Sequence, residues 1–401
     1  KPRERDVFIK GSWRTVLVGS LRLGGRGVYA LDVTNPTQTN ESNAAGTSGV
    51  VLWEFGNGTT ASTATDSPCS EGSRTCASLG YTYDSANIAR IHYDNKWVAL
   101  VSSGYFPSNA DAAAQPGDRT EAAAGRTSLL VIDMETGKLI KELPTTMAPQ
   151  TQPAGFKTFG LSTPMVYDLG SDEVDDLAYA GDLAGNLWRF DLSDKDPSNW
   201  KVDLMFTSYG NGGGTSAGDQ PIVFNPSALS DPVTRNAILV FGTGKYLGED
   251  DRTSLIPQQA FYGVRDYGTA STNYPIKVNQ LVTENMTQST ADVRSITGYA
   301  APSGSVQSGT PPMRMGSVDG SGNPIVISVP AHGWRMPLNV GTEKGERAQR
   351  RAIPIPTANV AMLYGLIPKS DDPCDPGARY SIMAIDAATG AAINTVGGIG
   401  S

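Results

Sequence analysis

The 401-residue sequence predicts an all-β fold, and three observations support that prediction. Glycine (45 residues) and proline (26) are abundant, while only 18% of the residues are charged. Such a composition is typical of many short strands joined by tight turns, and it disfavours long helices. One two-strand unit also recurs along the chain, and each copy ends in an aspartate followed by a turn.

The repeated unit is an apolar strand that ends in small residues, followed by a second strand that ends in Asp. Its five copies begin at Thr15, Trp97, Asp176, Ala237 and Ala361. Strands and hairpins with Gly and Asp turns describe a four-stranded blade, and successive blades describe a β-propeller. At about 40–50 residues per blade, we expect seven irregular blades in one domain over 1–401. A pair of β-sandwiches is the alternative fold.

The aspartate that ends each unit is predicted to be a turn residue. In Asp133–Gly137 and Asp386–Gly390 the sequence is Asp-x-x-Thr-Gly. The carboxylate can accept backbone N–H groups of the turn, and the closing glycine adopts positive φ at little steric cost. Asp32, Asp191 and Asp266 occupy the same place. We therefore expect structural roles for all five and no general acid among them.

Three polar inserts interrupt the repeats, and we expect surface loops or degenerate blades there: 108–126, 209–218 and 268–328. The formal net charge of −8 disfavours nucleic acid and anionic membranes as partners. No apolar run is as long as a membrane span, and the N-terminus lacks the features of a signal peptide. The chain begins almost directly on a strand-like segment, which suggests a piece cut from a longer protein.

The three cysteines indicate whether the protein resides in an oxidising or a reducing compartment. Cys69 and Cys76 bracket the short loop SPCSEGSRTC, which a disulfide can close. Two free thiols are the main alternative, and a metal role is weaker because no second cysteine pair or histidine cluster accompanies them. Cys374 is left over. A secreted, oxidising destination is favoured.

The most informative segment is the acidic loop between two short strands, from Asp168 to Asp176. Its first, third, fifth, seventh and ninth positions are Asp168, Gly170, Asp172, Val174 and Asp176. Those positions point inward in EF-hand loops, which bind Ca²⁺ through oxygen ligands. We predict a Ca²⁺ site with three aspartate side chains and the Val174 carbonyl as ligands. A solvated acidic turn is the alternative.

Three positions of this loop depart from the EF-hand pattern. Gly170 has no side chain where Asp or Asn is expected, and Glu173 stands where a glycine normally permits the sharp turn. Tyr179 occupies the twelfth position, where a bidentate Glu belongs. Waters or Ser171 would have to complete the coordination shell. We therefore expect weak affinity, about 10⁻⁴–10⁻³ M, as in extracellular modules.

Five segments, in order along the chain, resemble the C-terminal β-propeller domain of the PilY-type proteins of bacterial type IV pili. They are LGYTYDSANIARIHYDNKWVALVSSGYF, SLLVIDMETGKLIKEL, STPMVYDLGSDEVDDLAYAGDLAGNLWRFDL, FGTGKYL and GLIPKSDDPCDPGARYSIMAIDAATG. The resemblance implies a secreted, pilus-associated protein that supports pilus extension against retraction, twitching motility and surface adhesion. It implies pilins, minor pilins and host-surface receptors as partners. It also implies Ca²⁺ binding by the loop, with Asp168, Asp172, Val174 and Asp176 as ligands.

Two other functions compete with this interpretation. A quinoprotein dehydrogenase has similar blades but often an adjacent cysteine pair, and the cysteines here are never adjacent. We also expect the indoles not to recur at one blade position; they are Trp13, Trp53, Trp97, Trp188, Trp200 and Trp334. A module that binds carbohydrate or a host receptor is the second alternative. We predict that the chain is not an enzyme.

Overall fold

A computed structural model describes most of the chain: residues 2–37, 49–57, 69–76, 79–83, 86–105, 127–152, 154–210, 213–216, 218–230, 237–247, 251, 256–290, 293–300, 332–340, 344–368 and 377–393. Within those ranges the chain is all-β, with 23 strands in five sheets. Short 3-10 turns occur at Arg22–Gly24, Tyr93–Asn95, Thr145–Met147, Pro197–Asn199, Val278–Gln280 and Pro356–Ala358. No helix of the described part is long and apolar enough to cross a membrane.

The chain divides into two compact units, of which the first comprises Lys1–Gln150, Lys157–Leu183 and Leu187–Leu204. Its first sheet is an antiparallel meander of β1 (Arg3–Ile9), β2 (Ser12–Ser20), β3 (Gly27–Asp32) and β4 (Val51–Gly56). The second sheet repeats this order with β5 (Asn87–Arg90), β6 (Trp97–Ser102), β7 (Ser128–Asp133) and β8 (Leu139–Pro144). Buried side chains of both sheets form one apolar cluster.

The third sheet carries the acidic loop. Its strands are β9 (Met165–Tyr167), β10 (Leu177–Gly181), β11 (Asn186–Asp191) and β12 (Lys201–Thr207), in sequential order. All five residues of β10 are buried, and five of the six in β11. Both faces of these two strands are therefore covered, so burial does not alternate along them.

The second unit comprises Thr151–Phe156, Ala184–Asn186 and Met205–Ser401. Its larger sheet contains β13 (Ser227–Ser230), β14 (Ala237–Gly242), β15 (Ala260–Arg265), β17 (Val282–Thr290), β18 (Val293–Ala300) and β19 (Gly333–Pro337), in the order β13-β14-β15-β19-β17-β18. The short β16 (Ile276–Lys277) instead pairs in parallel with Phe206 and Thr207 at the end of β12. The fifth sheet is built around β22 (Val360–Pro368), which pairs with β20 (Arg347–Ala348), β21 (Ile353–Ile355) and β23 (Ala378–Asp386).

The five predicted repeats correspond to the five sheets, one copy in each. Every copy forms an antiparallel strand pair: β2–β3, β6–β7, β10–β11, β14–β15 and β22–β23. The prediction of repeated strand pairs is therefore confirmed. The described residues contain five sheets, so the expected number of seven blades stays a prediction for the whole chain.

The turn role of the five aspartates is also confirmed. Each Oδ1 accepts the backbone N–H two residues further on, at 2.8–3.1 Å, in Asp32, Asp133, Asp191, Asp266 and Asp386. The two Asp-x-x-Thr-Gly turns add a threonine hydroxyl that donates to the same oxygen at 3.1 Å. Their closing glycines have φ of +69° and +76°. The side chain satisfies the turn locally, as an Asx turn does.

Two tryptophans dock on these turns, which corrects the expectation that no indole position recurs. Trp53 of β4 donates its Nε1–H to the carbonyl of Met134, at 2.8 Å. Trp334 of β19 donates to the carbonyl of Ala387 at the same distance. Each indole contacts the closing glycine of the turn. These contacts therefore join one sheet to the sheet that follows it along the chain.

One predicted insert contains regular structure. Residues 268–328 were expected to be loops or degenerate blades, but β16, β17 and β18 lie within this range. The β17–β18 hairpin is nine and eight residues long and joins the fourth sheet. The sequence hid it because polar residues such as Thr, Gln and Asn dominate β17. The insert 108–126 and Cys374 lie outside the described residues, and 209–218 is described only in part.

Cys69 and Cys76, predicted to pair, are joined by a disulfide in the structure, with Cα atoms 4.7 Å apart. Both residues are buried within the apolar cluster of the first unit. The backbone N–H of Cys69 donates to the Glu142 carboxylate at 2.8 Å. This hydrogen bond therefore ties the disulfide-closed loop that follows β4 to the second sheet.

Candidate metal-binding loop

The acidic loop connects β9 to β10, and its two ends are held together by the sheet. Tyr167 pairs with Leu177, and the backbone N–H of Asp176 donates to the carbonyl of Tyr167 at 3.1 Å. Residues 169–173 are exposed, whereas Val174, Asp175 and Asp176 are buried. The predicted ligands thus lie on one short loop whose tip is open to solvent and whose base is fixed.

The carboxylates of Asp168 and Asp172 organise the tip of the loop. Asp168 accepts the backbone N–H of Glu173 at 2.8 Å and that of Asp172 at 3.3 Å. Asp172 accepts the N–H of Val174 at 3.0 Å. Ionised carboxylates that accept backbone N–H groups hold a loop in a defined conformation.

Asp176, the third predicted carboxylate, is engaged differently. Its Oδ2 accepts the N–H groups of Leu169 and Gly170, at 2.7 and 3.3 Å. Its Oδ1 lies 2.8 Å from Nε2 of His92. The described residues contain no group of three or more His, Cys, Asp or Glu side chains arranged to hold a metal ion. The structure therefore brings Asp168 and Asp172 together and directs Asp176 towards the base of the loop.

A side chain at position 170 would contact the first two carboxylates. A Cβ built on Gly170 would lie 3.7 Å from Cγ of Asp172 and 3.9 Å from Oδ1 of Asp168, which is ordinary van der Waals contact. A side chain at this position would therefore lie beside both carboxylates, as the third ligand of an EF-hand-like loop does. With glycine there, position 170 supplies no side-chain oxygen.

The backbone at Glu173 has the conformation that the EF-hand pattern requires at this position. Its φ is +66°, and that of Ser171 is +56°. Residues with a side chain rarely adopt this left-handed region, at a cost of about 1 kcal/mol each. Glycine is therefore the residue expected at Glu173, and the loop forms the same sharp turn without it.

Charge compensation differs among the five acidic residues of the loop. The Asp175 carboxylate lies 3.1 Å from the Arg5 guanidinium and also accepts the N–H of Arg90. Burial raises the pKa of Asp175 despite these contacts. Asp176 contacts His92, whereas Asp168 and Asp172 have no ion-pair partner in the described part of the chain. The uncompensated charge is thus concentrated beside Gly170.

Sequence analysis missed Arg5 and His92, which hold the base of the loop. Arg5 lies 170 residues from Asp175 along the chain, and His92 lies 84 residues from Asp176. No local sequence signal connects them, because the contacts depend on how β1 and β5 lie beside β9.

The donor set fits a hard divalent cation. Carboxylate and carbonyl oxygens are the ligands that Ca²⁺ prefers, and waters commonly complete its shell. Asp168 and Asp172 supply adjacent carboxylates, and like charges so close together repel unless a cation or solvent lies between them. The described residues show no soft thiolate or second imidazole at this place, so the chemistry favours Ca²⁺ over Zn²⁺.

Comparison with known proteins gives a consistent set of matches. A model of the PilY1 β-propeller domain matches residues 2–303. The type IV pilus biogenesis factor PilY1 of Pseudomonas aeruginosa strain PAO1 is 31% identical over 411 residues, covering 97% of this chain and 30% of that protein. A PilY1 homolog of Xylella fastidiosa is 27% identical over 405 residues, covering 98% and 26%. The chain thus spans less than a third of the length of these relatives.

A solved structure is also similar. The crystal structure of the C-terminal domain of Pseudomonas aeruginosa PilY1 matches with a TM-score of 0.65 at 27% sequence identity. The match covers 98% of this chain and 71% of that chain. Together with the blade-like sheets, it identifies the all-β fold as a β-propeller.

Proposed function

The chain belongs to the PilY1 β-propeller family, and from this premise we propose that it is a calcium-binding module of a pilus-associated protein. It would have no enzymatic role of its own. The protein would be secreted and located at the cell surface, and its partners would be pilins or minor pilins. The proposal also includes support of pilus extension against retraction, twitching motility and adhesion to surfaces or host receptors. The relatives are described as type IV pilus biogenesis factors, which supports the pilus assignment.

One observation carries the calcium part of the proposal. Asp168 and Asp172 lie beside Gly170 and have no cationic partner in the described residues. The proposed ligands are these two carboxylates, the Val174 carbonyl and Asp176, with water at position 170. A bound Ca²⁺ would neutralise the charge at the tip of the loop. The residues at the base keep their present contacts with Arg5 and His92.

The link between calcium and the pilus follows from the position of the loop. Its base is buried and hydrogen-bonded to the sheet, whereas its tip at 169–173 is exposed. Neutralising Asp168 and Asp172 would therefore alter the charge and order of an exposed tip while leaving β9 and β10 in place. We propose that other pilus components bind this tip when its carboxylates are neutralised.

Asp172→Ala in the full-length protein is expected to reduce twitching motility and surface pili in calcium-replete medium. The levels should fall to those of the wild type treated with a calcium chelator. The Asp172 side chain is exposed and accepts only one described hydrogen bond, so the change should not unfold the domain. Glu173→Gln is the matched control, because it removes one charge from the same tip without removing a proposed ligand. Wild-type motility of Asp172→Ala at both calcium levels would contradict the proposal.

A further inference from the structure

The indole of Trp13 is exposed at the turn end of the β1–β2 hairpin, and its neighbours hold it in place. The side chain of Trp13 is 63% exposed, and its cross-strand partner Phe8 is 50% exposed. The Trp13 ring makes edge contacts with Phe8 and Trp97, with centroids 5.7 and 6.2 Å apart. The backbone N–H of Lys10 in the hairpin turn also donates to Glu135, at 3.1 Å. These contacts fix the indole, so little conformational entropy is lost when a ligand covers it.

A cleft of about 300 Å³ opens beside this indole and is otherwise polar. Its volume lies at the lower end of the range for small-molecule sites, about 300–1,000 Å³. The cleft is lined by Ser12, Trp13, Arg14, Asp32, Thr34, Asn35 and Gly49. Trp13 is thus the one aromatic residue among the described lining residues, and most of the others carry hydrogen-bonding side chains.

The polar groups of the cleft are held in place by one another. The Arg14 guanidinium forms an ion pair with Asp32, and the hydroxyl of Thr34 donates to Asp32 at 2.6 Å. Burial would raise the pKa of Asp32, but the hydrogen bonds from Thr34 and Arg14 outweigh it and lower that pKa. The cleft is therefore preorganised.

The charges of the cleft restrict the ligand. Arg14, the only cation among the described residues that line the cleft, is already neutralised by Asp32, and the whole chain carries a formal charge of −8. An anionic ligand would meet no uncompensated positive charge there. The combination of an exposed indole face with paired donors and acceptors suits a molecule that is apolar on one face and rich in hydroxyls at its edge.

We propose that this cleft binds a neutral saccharide, with one pyranose ring stacked on Trp13 and its hydroxyls bonded to Arg14, Asp32 and Asn35. This site is separate from the acidic loop and does not depend on calcium. It would give the domain a direct means of contacting glycans on a surface.

A glycan array that carries neutral hexose and N-acetylhexosamine glycans beside sialylated and sulfated ones tests this proposal on the 401-residue chain. We expect signal on neutral glycans, and a loss of about tenfold or more in apparent affinity for Trp13→Ala, equivalent to about 1.4 kcal/mol. Trp13→Leu keeps an apolar side chain beside Phe8 and should lose as much. Tyr380→Ala removes an aromatic side chain that is 60% exposed on β23, and it should have no effect.

Three outcomes would overturn the saccharide site. The first is a wild-type chain that binds no glycan, and the second is glycan binding that survives Trp13→Ala. The third is an equal loss with Tyr380→Ala, which would indicate non-specific adsorption through exposed aromatic residues. Thermal melts of the three variants should match the wild type, because both aromatic side chains are largely exposed.

Discussion

Replacing Gly137 with alanine is expected to lower the free energy of unfolding by about 3–5 kcal/mol, a value in the range of severe core substitutions. Two physical effects add at this position. Gly137 has a φ of +69°, which costs alanine about 1 kcal/mol. A Cβ there would also lie 2.5 Å from Cβ and Cγ of Trp53. The buried indole cannot retreat without giving up its hydrogen bond to Met134.

Gly11→Ala is the matched control for this substitution. Gly11 has a similar φ, +75°, but nothing lies within 4 Å of the position of its Cβ. Replacing Gly11 with alanine should therefore cost only the energy of placing alanine at a positive φ, about 1 kcal/mol. Denaturant unfolding of the two variants isolates the contribution of the Trp53 contact. Equal destabilisation by both would show that the indole does not pack rigidly on the turn.

Replacing Glu284 with glutamine is expected to stabilise the chain by about 4 kcal/mol near pH 7.5. Glu284 of β17 is 1% exposed, and neither carboxylate oxygen has a hydrogen-bond partner within the described residues. Burial raises the pKa of this carboxyl to about 9, from an ordinary value of 4.5. The folded protein therefore keeps Glu284 protonated at neutral pH, whereas the unfolded chain does not.

The sign of the pH dependence follows from these two values. Below about pH 4.5 the residue is protonated in both states, and its contribution to stability is fully present. Between about pH 4.5 and 9 the unfolded chain loses the proton first, so stability falls by about 1.4 kcal/mol per pH unit. Glutamine cannot titrate and should remove this slope, leaving the two proteins equally stable near pH 4.

Urea unfolding between pH 5 and 9 measures the slope directly. Glu4→Gln on the exposed side of β1 serves as the control, and its profile should follow the wild type. A Glu284→Gln variant whose free energy of unfolding keeps the wild-type pH dependence would contradict this prediction. The carboxyl would then be ionised, or paired with a cation, in the folded protein.

Features with a local physical cause were predictable from the sequence. The five turn aspartates accept an N–H only two residues away, so the sequence pattern alone identifies them. Glu173 was identified as a departure from the glycine of an EF-hand loop, and its backbone nevertheless adopts the left-handed conformation of that position. The same reasoning located the strands on both sides of the acidic loop.

Features that depend on distant contacts were not predictable. The docking of Trp53 on the turn at Met134 joins residues 81 positions apart, and the contact of His92 with Asp176 joins residues 84 apart. The β17–β18 hairpin lacks the apolar strands and the Asp turn that reveal the other pairs. Hydrogen bonding within the hairpin and pairing with β19 form it despite its polar sequence.

Isothermal titration of the 401-residue chain with Ca²⁺ tests the central claim most directly. We expect one weak site, with a dissociation constant of about 10⁻⁴–10⁻³ M. Asp172→Ala should abolish the binding heat, and Glu173→Gln should retain it. Gly170→Asp should tighten binding by about tenfold, because it places a third carboxylate between Asp168 and Asp172. An absence of heat at millimolar Ca²⁺ in both the wild type and Gly170→Asp would contradict the account.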